Sequence, residues 1–419
     1  MRNPTLHQLL EAFSLDSSSQ LTHDTASGAE VPFELVEKRD PPARAPLYCY
    51  RPLTGAFIRQ RLGMLTALPT YAPAARALAA IDGVDQYLRA RAEQRIPDEA
   101  RERADAVLRH FLGAVFADRS EFGFDPVRFE GAYDELERVI YEGRRLTTVI
   151  TPVLGIGLHS SITELALGDG FSLVPGEAFE DAPPDAVWGE GEQPNVLAVV
   201  TVAQDHGVAA PVSSARSKFR RLLTALRLFE RGGYSLGPVA WVRADAGSWR
   251  TVPLGGSGRP RFVTLISAAQ EDELRAFCNL VARRAPTGGE PAWALARFEM
   301  GCERLAPFEA LTDYLLALRA LLEPEGPQSG RLAQRLAAIC AAPGGRAALA
   351  ERTAHAISLE RAVIAGIAPG ETDTGNPVNG LVDELAEHLR ALLRDVLCGH
   401  LDSDLRTVAD GLLAEAARV

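Results

Sequence analysis

The residues best suited to acid–base chemistry next to a fixed charge lie between positions 351 and 366. This stretch contains His355 together with Arg352, Glu360 and Arg361. A histidine titrates near neutral pH and can move protons, whereas an arginine stabilises negative charge on a phosphate group. On a helix His355 and Arg352 share a face, but Arg361 points largely elsewhere. The catalytic candidates are therefore Arg361 with Glu360 or His355, although we favour a solvent-facing His and Arg on an amphipathic helix.

The densest basic cluster lies on a helix that the sequence predicts from Ser214 to Phe229. Arg216, Arg220 and Arg227 fall on roughly one face of this helix, and apolar residues occupy the other face. Such a stripe could bind phosphate groups, so these three arginines are the candidate RNA-binding residues. The simpler interpretation, which we favour, is an amphipathic helix whose arginines pair with the acidic excess of the protein.

Motifs for metal, nucleotide and hydrolase chemistry are missing from the sequence. The glycine-rich stretches at 155–157 and 255–260 are not followed by Lys-Ser/Thr, and neither completes G-x-G-x-x-G before a helix. The eight histidines are dispersed, and the five cysteines include no C-x-x-C pair. We therefore expect no metal and no other cofactor.

The elements that would position these residues fall into four predicted segments. Residues 1–45 are polar and interrupted by Ser, Asp, Pro and Gly, which predicts a loosely ordered arm. Residues 46–145 form a helical region that we expect to pack with the next segment. Apolar residues at three- and four-residue spacing predict its helices near 54–67, 73–92, 98–117 and 129–143.

A mixed α/β domain is predicted over residues 146–267. Short runs rich in β-branched residues, separated by Gly and Pro, predict strands at 147–150, 171–174, 196–202, 239–242 and 262–266. The basic helix interrupts these strands, and the apolar runs do not fix their order.

The final segment, 268–419, is predicted to be helical to its end and to form a bundle. Its helices are expected near 270–284, 291–304, 307–322, 330–341, 345–365, 378–397 and 402–417. The fold class is therefore α+β, with a mixed α/β N-terminal and middle portion followed by an all-α C-terminal bundle.

Length and composition set limits on location and partners. The chain has 419 residues, of which 47% are hydrophobic, so a large core can form. No apolar run reaches the length of a membrane span, and the N-terminus does not have the pattern of a signal peptide. We therefore expect a cytoplasmic protein without a membrane partner. The formal net charge of −11 repels nucleic acid at long range, so RNA contact would need a local basic patch.

Three segments together carry a resemblance to a known family. The first is Asp-Tyr-Leu-Leu-Ala-Leu-Arg-Ala-Leu-Leu from Asp313 to Leu322, and the second is Arg-Leu-Ala-Ala-Ile from Arg335. The third is the helix end that precedes Gly232 and Gly233. From about residue 146 onward the chain resembles ApeA-like HEPN proteins, which join a partly β portion to a C-terminal helical bundle. In that family the first segment has the form Asp-x-x-x-Ala-Leu-Glu-Ala-Leu-Leu.

This chain departs from the family at the acidic position of the first segment and at the catalytic histidine. Arg319 replaces the acidic residue of the first segment. The family's active motif is Arg, four residues and then His, followed by Gly at the end of a helix, and two such motifs face each other across a dimer. Two alignments of the motif are possible. If Gly366 is the motif glycine, Ala365 takes the His position and Glu360 takes the Arg position. If Arg361 is the motif Arg, Gly366 takes the His position. Either alignment deletes the histidine.

The resemblance implies a HEPN-like protein of a bacterial conflict or antiphage defence system that has lost ordinary catalysis. Such a protein would act as an RNA-binding or regulatory homodimer, joined through the C-terminal bundle. Two alternatives stay open. One is an active metal-independent ribonuclease whose site uses Arg361 with Glu360 or His355. The other is a scaffold for a partner protein that the sequence does not identify.

Overall fold

A computed structural model describes most of the chain and shows a mixed α/β protein. The described residues are 2–38, 47–91, 93, 95–159, 161–179, 182–189, 193–205, 210–245, 247–255, 262–366 and 377–416. Within these ranges, a helical region comes first, a largely antiparallel sheet follows, and helices complete the chain. The coarse order predicted from the sequence, with α and β portions first and helices last, is therefore confirmed.

The N-terminal helices share one apolar core. They are α1 (Pro4–Ala26), α2 (Thr54–Gln60), α3 (Leu62–Leu65), α4 (Tyr71–Ala79), α5 (Val84–Ala90), α6 (Ala100–Val115) and α7 (Pro126–Glu142). Aromatic rings fill much of this core, and the rings of Phe57 and Phe122 stack with their centroids 5.1 Å apart. Strands β1 (Phe33–Lys38) and β2 (Leu47–Pro52) pair antiparallel between α1 and α2.

The predicted loosely ordered arm is wrong for residues 4–26, which form α1. Asn3 caps this helix by accepting the Leu6 N–H at 3.0 Å, and Pro4 follows at the first helical position. Leu6, Leu10 and Phe13 are buried against the helical core together with serines. One of these, Ser18, donates its hydroxyl to the Phe122 carbonyl at 2.5 Å. Small serines with backbone partners can be buried, which composition alone does not reveal.

Two predicted helices of this region are each divided in the structure. The predicted helix 54–67 is α2 and α3, and the predicted helix 73–92 is α4 and α5. Gly83 separates α4 from α5 with φ of 93°, and a Cβ there would lie 2.8 Å from the Ile140 carbonyl oxygen. A side chain at Gly83 would collide with α7, so a glycine is needed at the break between α4 and α5 for the chain to pack against α7.

The middle of the chain forms a seven-stranded sheet and a separate strand pair. The strands are β3 (Arg144–Leu154), β4 (Ile156–Leu158), β5 (Leu165–Gly168), β6 (Phe171–Pro175), β7 (Val196–Asp205), β8 (Ser235–Leu236), β9 (Val239–Ala244), β10 (Arg250–Pro253) and β11 (Thr264–Ile266). The large sheet runs β10-β9-β3-β7-β6-β5, with β8 also on β3, and its pairs are antiparallel. The small sheet pairs β11 with β4 in parallel.

Helices cover both faces of this sheet. The long helix α9 (Val212–Phe229) packs Phe219 and Leu226 against one face, where Val149 and Val200 are buried. The short helix α8 (Pro184–Val187) belongs to the apolar cluster on the other face, which includes Trp241. Successive side chains of β3 point to opposite faces of the sheet, so its buried residues contribute to two cores, one on each side.

Seven α-helices follow the sheet within the described residues, as the periodicity predicts. They are α10 (Glu271–Arg284), α11 (Gly289–Glu303), α12 (Pro307–Leu322), α13 (Leu332–Cys340), α14 (Arg346–Ile364), α15 (Pro377–Cys398) and α16 (Leu405–Ala416). Helix α12 lies in the middle and contacts α11, α13, α14, α15 and α16. Ala225 and Leu228 of α9 belong to the same apolar core, so α9 joins the sheet to the bundle. Among the described helices, none is long and apolar enough to cross a membrane.

Candidate functional site

The predicted catalytic residue Glu360 lies buried in an ion pair between α14 and α12. Its two carboxylate oxygens accept hydrogen bonds from the two terminal nitrogens of Arg319, at 3.0 and 2.5 Å. The exposed fraction of the side chain is 3% for Glu360 and 18% for Arg319. A bidentate pair of this kind fixes two helices together. Glu360 is therefore a structural group here, with its carboxylate committed to Arg319.

The sequence of α14 explains why Glu360 points inward. The buried residues of this helix are Leu349, Thr353, Ala356 and Glu360, spaced by four, three and four positions. This spacing places them in one stripe along a helix. Glu360 completes an otherwise small or apolar stripe, and a carboxylate can take that place only with a buried partner. Arg319 supplies the partner.

The other two catalytic candidates lie on the outer surface of α14. His355 and Arg361 are both exposed, whereas Glu360 is buried. Because each helical residue turns by about 100°, positions 355, 360 and 361 project in three different directions. Arg352, the other possible partner of His355, binds Glu384 of α15 instead, with contacts of 2.7 and 2.9 Å. The structure therefore does not assemble the three predicted residues into one site.

Arg227, one of the predicted RNA-binding residues, is buried rather than on the surface of α9, and its side chain is 3% exposed. The guanidinium donates to Glu303 of α11 at 3.1 Å and to the Tyr234 carbonyl at 3.3 Å. The Arg227 carbonyl in turn accepts from Arg390 of α15 at 2.7 Å. Arg227 thus ties α9 to two helices of the bundle.

The remaining basic residues of α9 form a smaller exposed surface than the sequence predicts. Arg216 is half-buried and donates to the Pro253 carbonyl at 2.7 Å, and Lys218 donates to the Asp169 carbonyl at 2.6 Å. Arg220 is exposed, and so is the adjacent Arg221. The sequence pattern does not point to Arg221 as an exposed basic residue, because Arg221 lies off the helical stripe that contains Arg216 and Arg220.

Two charged residues that carry the family resemblance are also structural. The Asp313 side chain is 4% exposed and accepts from Arg297 at 3.1 Å and from Arg304 at 2.9 Å. Arg335 of α13 is 2% exposed and binds both carboxylate oxygens of Asp410 in α16, at 2.8 and 3.0 Å. The hydrogen bonds from Arg335 hold the pKa of Asp410 below its usual value.

A cleft of about 470 Å³ lies where the sheet meets the bundle, and we call it the junction cleft. One face of α15 lines it, opposite the turn at Arg231 to Gly233 and the chain entering β11 at Phe262. Cys302 and Tyr314 also line the cleft, with the Tyr314 hydroxyl 3.8 Å from the Cys302 sulfur. Burial raises the pKa of the Cys302 thiol, so the thiol stays protonated.

Metal ligands do not converge in the part of the chain that the structure describes. In those residues no three side chains of His, Cys, Asp or Glu lie close enough to hold an ion together. Comparison with known proteins adds no assignment: no family model, curated protein or solved structure matches the chain. The functional argument therefore depends on the sequence motifs and the contacts described above.

Proposed function

We propose that the protein is a noncatalytic HEPN-like member of a bacterial conflict or antiphage defence system, acting as an RNA-binding or regulatory homodimer. The Arg319–Glu360 pair is the main support. In the alignment on Gly366, Glu360 takes the place of the motif arginine, and Arg319 takes the place of an acidic residue. These two departures lie in contact, with charges opposite to those of the family pattern. The pair links α12 to α14 in this chain although, in this alignment, the motif's arginine is absent.

The lack of a proton-transfer group supports the same proposal. The motif's histidine position is held by Ala365 or by Gly366, depending on the alignment, and His355 lies farther back on an exposed face of α14. General acid–base catalysis needs the acid or base within hydrogen-bond reach of the reacting group and held there by neighbours. Neither Glu360, bound to Arg319, nor Arg352, bound to Glu384, is placed to orient His355.

The outer surface of α14 is the proposed dimer interface. Near its C-terminal end this surface carries Arg361 and Ile364, which project about 60° apart, and Ile364 is 73% exposed. In the family this end of the helix faces a second copy. An exposed isoleucine beside the motif glycine is consistent with a surface that another copy covers.

The test is incubation of the purified protein with labelled tRNA and structured RNA in EDTA, beside Arg361→Ala and His355→Ala. We expect intact RNA in all three samples, together with a dimer mass from light scattering. RNA retention in a gel-shift assay should fall in the Arg220→Ala/Arg221→Ala variant. Cleavage by the wild type that either single variant abolishes would instead establish the alternative, an active metal-independent ribonuclease. A monomer that retains no RNA would overturn the proposal and favour the protein-binding scaffold.

A further inference from the structure

The junction cleft carries a charge pattern that no part of the proposed function uses. Four charged side chains line it: Arg231 on one wall, and Asp383, Glu387 and Arg390 on α15. Arg231 donates to Asp383 at 2.5 Å, and Arg390 donates to Glu387. The pattern is therefore two cations and two carboxylates, with each carboxylate next to one arginine.

The two carboxylates lie side by side on one helix. Asp383 and Glu387 are four residues apart on α15, which places their Cβ atoms about 5–6 Å from each other. Like charges at this spacing repel, and the arginine beside each carboxylate relieves part of that repulsion. Their side chains are 43% and 47% exposed, so a solute can reach them.

Arginine donors lie next to these carboxylates. The Arg390 side chain is only 8% exposed. Two donors of Arg390 are used by the Arg227 carbonyl and Glu387, and a guanidinium has further N–H groups. Arg231 is 52% exposed and binds Asp383 from the opposite wall. Guanidinium groups bind carboxylates strongly, and both of these already do so in the protein.

An apolar rim completes the cleft. Phe262 is 46% exposed and Leu305 is 72% exposed, and both line the opening with Val382 behind them. Gly301 lets α11 approach Tyr314, which lines the cleft, since a Cβ at this position would lie 2.3 Å from the Tyr314 ring. The volume of about 470 Å³ is within the range of small-molecule sites.

We propose that the junction cleft binds a free α-amino acid with an apolar side chain. Its ammonium group would sit between Asp383 and Glu387, and its carboxylate would accept hydrogen bonds from Arg390 or Arg231. Its side chain would lie against Phe262 and Leu305. Because Asp383 pairs with Arg231 and Glu387 pairs with Arg390, the charges of the cleft are balanced, and a ligand that carries both charges can join these pairs without adding net charge, whereas a simple anion or cation would add one. This proposal does not depend on RNA binding.

The test is isothermal titration calorimetry of the full chain with L-leucine and L-phenylalanine. Three analogues remove one feature each: N-acetyl-L-leucine has no ammonium group, L-leucinamide has no carboxylate and glycine has no apolar side chain. We expect each analogue to bind at least about tenfold more weakly, because each one loses one of the three contacts proposed for L-leucine: that of the ammonium group, the carboxylate or the apolar side chain.

Variants locate the site. Arg231→Gln and Glu387→Gln should each lower the affinity for L-leucine at least about tenfold. The matched control is Glu384→Gln, which removes a neighbouring carboxylate of α15 that pairs with Arg352 rather than lining the cleft, and it should leave the affinity unchanged. If one of these variants unfolds, the affinity of Asp383→Asn for L-leucine is measured in its place. The proposal is overturned if neither amino acid binds at millimolar concentration. It is also overturned if N-acetyl-L-leucine binds as tightly as L-leucine, or if the cleft variants behave like the control.

Discussion

Replacing one partner of the Arg319–Glu360 pair should destabilise the C-terminal bundle strongly, whereas replacing both should not. Glu360→Met leaves the Arg319 guanidinium without its carboxylate between α12 and α14. Arg319→Met leaves the carboxylate of Glu360, which is 3% exposed. Arg319→Met/Glu360→Met removes both charges and fills the same space with two flexible apolar side chains.

The expected cost follows from the burial of the two groups. Breaking a buried ion pair by removing one partner costs about 3–5 kcal/mol. For Glu360→Met we expect about 3 kcal/mol, since Arg319 is 18% exposed and water can solvate part of its charge. For Arg319→Met we expect about 5 kcal/mol, because Glu360 has almost no access to water. The double variant should lie within about 1 kcal/mol of the wild type.

Calorimetric unfolding measures these differences. For a bundle of about 150 residues, a loss of 3 kcal/mol lowers the Tm of its transition by about 6–12 °C. The matched control is Arg352→Met with Glu384→Met, an exposed pair between α14 and α15 that should contribute about 1 kcal/mol or less. If the Glu360→Met and Arg319→Met variants shift the Tm no more than this control does, then the pair does not hold α12 to α14, and the structural role assigned to Glu360 is wrong.

Two further predictions concern pH and thiol chemistry. Since Arg335 lowers the pKa of Asp410 in the folded state, this pair stabilises the protein above the ordinary pKa of an aspartate, and the stabilisation is lost as pH falls through the lower folded value. The Tm of the wild type should therefore fall more steeply than that of Arg335→Met as the pH drops below about 4, the ordinary pKa of an aspartate, and parallel curves would contradict the assignment. Burial raises the pKa of Cys278 and of Cys340 to about 12, so at pH 8 both thiols should react with Ellman's reagent far more slowly in the native protein than in guanidinium. Equal rates before and after unfolding, with the modified residues identified by mass spectrometry, would show that these thiols are accessible.

Local pattern was sufficient for most helices and for the longest strands. The predicted helix 307–322 coincides with α12, and the predicted strand 196–202 lies within β7. In each of them the pattern of apolar residues matches one kind of element, and the burial of those residues stabilises that element. Short strands such as β5 and β8 were missed, because a few residues carry too little periodicity to distinguish a strand from a turn.

The N-terminal helix α1 was predicted as a loosely ordered arm because its polar composition was given more weight than its helix cap. The cap formed by Asn3 with Pro4 after it was present in the sequence, but the serines of α1 suggested a polar, irregular segment. Their burial depends on a partner far along the chain, since the hydroxyl of Ser18 bonds to the carbonyl of Phe122. Composition cannot show a contact of this kind.

The sequence by itself determined most of the helices and the longest strands, and it showed that the position of the histidine in the family it resembles is held by Ala365 or Gly366. Those properties depend on the order of residue types along the chain. Only the tertiary structure decided what the charged residues do. Glu360 and Arg319 are 41 residues apart and meet between two helices, and Arg227 is turned inward to Glu303. Whether a charge is exposed, paired or buried depends on which elements pack together, and local periodicity does not predict that packing.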